Sequence, residues 1–145
     1  MAIPEFGTEG LLPPGVHSCL LSELEERFGR FQRTDRRVRL WNRFAEFVRE
    51  LRATQIAVAL IVDGSFATAK PDPNDIDLIL ILAQDHDFSR QSEYNLVSRR
   101  QVRRHFGFDL LLTAEDQPEL AEYVAFFAQV RGRPDLKKGL LRLEI

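Results

Sequence analysis

A glycine–serine pair and three aspartates are the residues of this sequence best suited to chemistry. An apolar run leads straight into Asp63-Gly64-Ser65, Asp75-Ile76-Asp77 opens a second run, and Asp109 lies within a third, Gly107 to Thr113. Residues two apart in a strand face the same way, so a strand beginning at Asp75 aims the carboxylates of Asp75 and Asp77 together. Carboxylates that close repel, and one takes up a proton unless a cation sits between them. Magnesium suits the role, because it prefers hard oxygen ligands and commonly combines one or two carboxylates with substrate phosphates. Asp109 on a neighbouring strand would complete a three-carboxylate cluster, able to hold two magnesium ions or manganese in their place.

The glycine and serine supply the other half of such a site. Without a side chain, Gly64 lets a phosphate approach the backbone and tolerates a left-handed turn. Ser65 adds a hydroxyl beside backbone N–H groups, an anion-binding concavity. Phosphate on one side and metal-binding carboxylates on the other are the parts needed to hold a nucleoside triphosphate, whose chemistry is mostly positioning and charge neutralisation. Two plainer readings stand beside this one. Asn74-Asp75 is also ordinary turn chemistry closing the loop that carries Pro71 and Pro73. Asp109, expensive as an unpaired charge among apolar neighbours, would also be satisfied by a nearby arginine.

The elements that must position these residues are legible from periodicity. Residues 1 to 33 hold a Pro- and Gly-rich arm with a turn at Pro14-Gly15, then a short helix from Glu23 to Phe28 with Ser22 and Glu25 as its capping box. A longer helix is expected from Thr34 or Asp35 to Ala53, its apolar positions Val38, Trp41, Phe44, Phe47 or Val48, and Leu51 at helical spacing. Ile56 to Val62 and Asp75 to Leu82 read as strands covered on both faces. A basic helix from Gln91 to His105 precedes the third strand. A helix from Gln117 to Val130 follows it, with Asp116 as cap and Pro118 in the first turn. The loop Arg131 to Pro134 then leads to a last strand, Gly139 to Ile145. This order implies an α/β (α+β) fold of one domain, a mixed, mainly four-stranded sheet flanked by helices, with residues 34–145 as its core.

Bulk properties narrow the classes. The chain has 145 residues, 44% hydrophobic and 29% charged, with 11 Phe to fill a core. Its single cysteine, Cys19, excludes an internal disulfide and a CxxC metal motif. The net charge is −2, yet arginines cluster between Arg27 and Arg52 and between Arg99 and Arg104. Two helices with solvated basic faces account for that, and a nucleic-acid patch is the sharper alternative. No apolar run approaches the roughly 20 residues of a membrane span, and the N-terminus lacks the pattern of a signal peptide, so a cytoplasmic location is expected. Asp63 reads as a structural strand-end residue. His17, His86 and His105 have no ligand spacing, Asp85-His86-Asp87 reads as a solvated loop, Lys137 and Lys138 are lesser phosphate candidates, and Phe126-Phe127 reads as core, not as a stacking platform.

Gly64-Ser65, a short loop and Asp75-Ile76-Asp77-Leu78 together resemble the signature of the DNA polymerase β-like nucleotidyltransferase superfamily. The Pro-Pro-Gly-Val-His arm, Asp63-Gly64-Ser65-Phe66, Asn74 to Asp77 and Lys138 to Arg142 are similar to a small, poorly characterised family of nucleotidyltransferase-like proteins. The resemblance implies a nucleotidyltransferase-like domain of minimal type, without a second helical domain. It would use two magnesium ions to transfer a nucleoside monophosphate from a triphosphate to a hydroxyl of a protein or nucleic-acid acceptor, as toxin–antitoxin nucleotidyltransferases do. Asp75, Asp77 and Asp109 would bind metal and act catalytically, with Asp109 also activating the acceptor hydroxyl. Gly64 and Ser65 would hold the phosphates. Small members often follow Gly-Ser with Ala-Arg-Gly, whereas this chain has Phe66 to Lys70, so Lys70 would supply the charge. The alternative is an inactive nucleotide- or partner-binding module.

Overall fold

The β-branched and leucine-rich runs centred on Leu60 and Leu80 form the middle of a sheet, because only strands covered on both faces can be apolar at every position. The computed structural model describes residues 3–30, 34–83 and 94–145. Along the chain it contains β1 (Gly15–Cys19), α1 (Leu21–Phe28), α2 (Arg36–Thr54), β2 (Ala57–Asp63), a 3-10 turn (Ser65–Ala67), β3 (Asp77–Leu82), α3 (Tyr94–Val97), α4 (Arg99–Phe106), β4 (Asp109–Ala114), α5 (Glu119–Phe127), β5 (Gln129–Val130), β6 (Arg133–Lys137) and β7 (Gly139–Glu144). One mixed sheet runs β1-β7-β2-β3-β4, and β5-β6 form a separate hairpin. β2 is antiparallel to both β3 and β7, while β3–β4 and β1–β7 are parallel.

The two faces of the sheet divide by residue parity. Leu60, Val62, Leu78, Leu80, Leu110, Leu141 and Leu143 face a thick layer built by α1, α2 and α4, where Phe28, Phe44, Phe47 and Phe106 fill the space. Ala59, Ile61, Ile79, Ile81 and Leu140 face α5, which covers them with Phe127, Leu120, Tyr123 and Val124. A nine-residue helix cannot shield the whole second face, so the sheet end beyond it stays open. The odd-numbered strand residues at that end are the aspartates.

Several expectations change. The sheet has five strands rather than four, because Gly15–Cys19 of the arm adds an edge strand on β7. Helix α1 begins two residues early, at Leu21, so Ser22 and Glu25 are not its capping box; Glu23 Oε1 instead accepts the Leu20 N–H at 2.8 Å. Helix α5 stops at Phe127, and the following residues make the β5–β6 hairpin instead of a loop. β3 starts at Asp77, leaving Asp75 in the loop before it. The segment Asp85-His86-Asp87 and the start expected for the basic helix, Gln91, lie outside the described residues. Among the described residues no helix is long and apolar enough to cross a membrane.

Candidate functional site

Strand β2 delivers Asp63 to the open end of the sheet, and Gly64 then turns the chain with φ +91°. A Cβ on Gly64 would lie 2.9 Å from the Asp75 carbonyl oxygen and 3.0 Å from both Asp75 Oδ1 and the Asp77 nitrogen. Glycine is therefore required twice here, by conformation and by the backbone packed against it. The pair acts as a knot. Ser65 donates through its N–H and its hydroxyl to Asp75 Oδ1, both at 2.7 Å. The Ser65 hydroxyl also accepts the Asn74 N–H at 2.9 Å and the Asp75 N–H at 3.2 Å, and Phe66 N–H reaches the Asp75 carbonyl at 3.1 Å.

Register places a row of carboxylates beside this knot. Asp63 pairs with Asp77 across β2–β3, and Asp77 pairs with Asp109 across β3–β4. Partners in register share a face, so the three side chains stand on the α5 side of the sheet. Their surroundings differ. Asp63 is buried and paired with Lys138 Nζ at 3.1 Å; burial raises its pKa, with Lys138 pulling the other way. Asp77 is half-buried. Burial first, then the charges of Asp75, Asp63 and Asp109, push its pKa up to about 6. Asp109 is 65% exposed and bound to Arg103 Nη1 at 3.0 Å.

The sequence-derived set is thus partly assembled. Gly64, Ser65, Asp75 and Asp77 line one cavity of about 420 Å³, together with Asp63 and Lys138. Asp109 and Asp77 line a neighbouring one with Arg99. Asp75 does not point in parallel with Asp77 from a shared strand, because it lies in the loop and its Oδ1 is engaged by Ser65. Of the two readings open for Asp109, the arginine pair is the one formed. Lys70 is exposed and outside the cavity lining; its backbone carbonyl accepts from Arg37. Lys138, a lesser phosphate candidate, is held by Asp63.

Arg37 escaped the sequence reading, which placed it in a solvated basic stripe. It is 1% exposed and extends under the loop after Ser65. Its Nη1 donates to the carbonyls of Phe66 at 2.8 Å and Phe28 at 3.3 Å, and its Nη2 to those of Thr68 at 2.7 Å and Lys70. Its guanidinium lies over the rings of Phe66 and Phe28 at 5.3 and 5.7 Å. Arg36 donates to Asn74 Oδ1, and Thr34 Oγ1 to Asp72 Oδ1 at 2.6 Å, so the N-terminus of α2 fixes both ends of the loop carrying Asp75. A signal was present: Leu40, Trp41 and Phe44 follow Arg37 at three, four and seven residues, the spacing of a buried helical stripe. Phe126 was missed in the opposite sense. Phe127 is core as expected, but Phe126 is 63% exposed and borders the acidic cavity.

The donors suit a hard divalent cation. All are carboxylate oxygens, and Asp77, raised first by burial and then by the charges of Asp75, Asp63 and Asp109, has acidic neighbours whose repulsion such an ion would relieve. Among the described residues no three Asp, Glu, His or Cys side chains converge closely enough to enclose an ion. A magnesium ion here would take one or two carboxylates from the protein and its other ligands from phosphate and water.

A family model described as "Family of unknown function (DUF6932)" matches residues 4–144, and the chain belongs to that family. No curated protein and no solved structure matches it.

Proposed function

We propose, from membership of a family without an assigned function, that this chain is a magnesium-dependent nucleotidyltransferase acting on a hydroxyl of a protein or nucleic-acid acceptor. The observation that carries the reading is that Gly64, Ser65, Asp75 and Asp77 line a single cavity at the open end of the sheet. Asp77 and Asp75 hold the metal, which when bound neutralises the triphosphate. The Gly64-Ser65 turn lies where the phosphates approach the backbone. In the transfer, the acceptor oxygen forms a bond to the α-phosphorus, the bond to the bridging oxygen of the β-phosphate breaks, and pyrophosphate leaves. Asp109, on the next strand and open to solvent, receives the hydroxyl proton once it releases Arg103. A second metal ion at Asp109 requires the same exchange. The same reading extends to a cellular role in a toxin–antitoxin pair.

A second reading, a nucleotide- or partner-binding module without turnover, draws on two contacts: Ser65 closed onto Asp75, and Asp109 held by Arg103. Calorimetric titration of magnesium with ATP, GTP, CTP and UTP into wild type and Asp77→Asn tests the site. Magnesium-dependent binding lost in the variant supports it, and α-phosphate label reaching an acceptor supports transfer over the module. Failure of folded wild type to bind any of the four would sink the transferase and the nucleotide-binding module, leaving only a module that binds a partner.

A further inference from the structure

We propose that Phe126 is the platform on which the base of the bound nucleotide stacks, an inference that rests on the nucleotide reading above. Consecutive residues in a helix point about 100° apart, and at the end of α5 only one of the Phe126-Phe127 pair enters the core. Phe127 takes the core position at 8% exposure, leaving Phe126 at 63% with its ring in solvent. A phenyl ring gives up roughly 1.5–3 kcal/mol by staying out of an apolar environment, which makes one exposed beside a cleft worth explaining.

Its location is specific. Phe126 borders three cavities: the acidic one holding Gly64, Ser65 and Asp77, the one beside Asp109, and a third of about 560 Å³ formed by the β5–β6 hairpin. The hairpin cavity has apolar walls from Phe126, Val130, Pro134 and Leu136 and carries Arg131 and Lys137. Gln129, Val130 and Arg131 line both it and the acidic cavity, so the two adjoin beside Phe126. Arg133 in the same hairpin is committed to Asp135 at 3.2 Å and Glu9 at 3.7 Å. Lys137 is tied by its backbone to β5, and among the described residues the side chains of Arg131 and Lys137 make no hydrogen bond or ion pair.

This sequence of surfaces matches the parts of one ligand. A nucleoside triphosphate presents a flat aromatic base at one end and an anionic, metal-binding tail at the other. The tail belongs at the carboxylates and the Gly64-Ser65 turn, and the base then reaches the hairpin cavity, where Phe126 offers a ring face. Arg131, common to both cavities, stands beside the connecting phosphates. Every base has a π-face, so the platform binds nucleotides without selecting strongly among them; the Gln129 amide is the nearest group able to read a base edge.

The test compares magnesium-ATP with magnesium-tripolyphosphate, which has the anionic tail and no base. Phe126→Ala should weaken ATP binding about 5- to 150-fold, the range for loss of one base–aromatic stack, and leave tripolyphosphate binding unchanged. Phe126→Trp should restore ATP affinity, and ATP but not tripolyphosphate should quench the added indole fluorescence. Equal ATP affinity in wild type and Phe126→Ala, with no quenching, overturns the platform while the nucleotide reading stands. A Phe126→Ala protein that binds ATP normally but changes from dimer to monomer in sedimentation also overturns it, assigning the ring to a contact between copies. Wild type that binds neither ligand removes both proposals together.

Discussion

Replacing Arg37 by Met should destabilise the domain by about 3–5 kcal/mol, within the range for two buried carbonyls each left without a donor. The structure gives the reasoning. Methionine keeps much of the stem between Phe28 and Phe66 but removes donors to four carbonyls. Charge-assisted hydrogen bonds contribute about 1.5–3 kcal/mol each, and the cost of burying the guanidinium offsets much of that total. The carbonyls of Thr68 and Lys70 lie in a loop that water can reach. Those of Phe28 and Phe66 belong to buried residues, and each orphaned acceptor there costs about 1–3 kcal/mol. In a domain of this size each kcal/mol moves the melting temperature by about 2–4 °C, so a drop of roughly 6–20 °C is expected in thermal unfolding followed by circular dichroism. Arg37→Lys should recover only part, because a single ammonium cannot serve carbonyls on both sides of the loop. Burial lowers the Arg37 pKa to about 10, so it carries its proton in the folded and unfolded states at neutral pH. The effect of the substitution should therefore be flat from pH 5 to 8. An Arg37→Met protein melting within about 2 °C of wild type would refute the clamp, given the 2–4 °C per kcal/mol scale.

Three further outcomes follow from the same geometry. Asp77 is an acid whose folded pKa lies above its unfolded value, so its cost is absent below about pH 4, grows as pH rises toward 6 and is complete above it. Asp77→Asn should thus raise metal-free stability at pH 8 by on the order of 1–2 kcal/mol, change little at pH 4, and still abolish magnesium-dependent binding; no gain in melting temperature at pH 8 in chelator would contradict this. Lys138→Met leaves Asp63 buried without its cation and should cost about 3–5 kcal/mol, more at pH 8 than at pH 5, and adding Asp63→Asn should recover most of the melting temperature. At Gly139 a Cβ would lie 2.0 Å from the Pro13 carbonyl oxygen and 2.9 Å from Leu12 Cβ, so Gly139→Ala should displace β1. The readout is Cys19, a buried thiol with its pKa pushed up to about 12, which should change from inert to alkylatable; continued protection would show that the arm stays docked.

The residue types at the site were legible from sequence, but their atoms were not. Apolar runs mark β2 and β3, and the turn glycine between them follows from Asp63-Gly64-Ser65. That Asp75 would turn back to Ser65 depends on where β3 begins, and periodicity does not resolve a strand boundary to two residues. β1 stayed hidden because Gly15–Cys19 is a mostly exposed edge strand with one buried residue, after a Pro-Gly pair that reads as a turn. The β5–β6 hairpin is short and polar, with only a two-residue first strand. Arg37 and Phe126 show the same limit from opposite sides: each sits on the face that helical spacing assigns to it, against the usual preference of its residue type.

The pairing of β1 with β7 alone has a consequence for the order of folding. A chain emerging from the ribosome can join β2 to β3 early, but the other edge of β2, Ala59 to Val62, has no partner until β7 appears near residue 140. β1, made first, waits longest, since its register from Gly15 to Gly139 spans nearly the whole chain. The entropy of closing so long a loop grows slowly with length, so the native sheet tolerates it thermodynamically, but the search for such non-local pairing is slow. Meanwhile an apolar strand with an open edge can template pairing with another chain. Insertion of β7 between β1 and β2 is therefore the step that both completes the sheet and closes that edge, and a chain stalled before residue 139 is the form most prone to assemble with its neighbours.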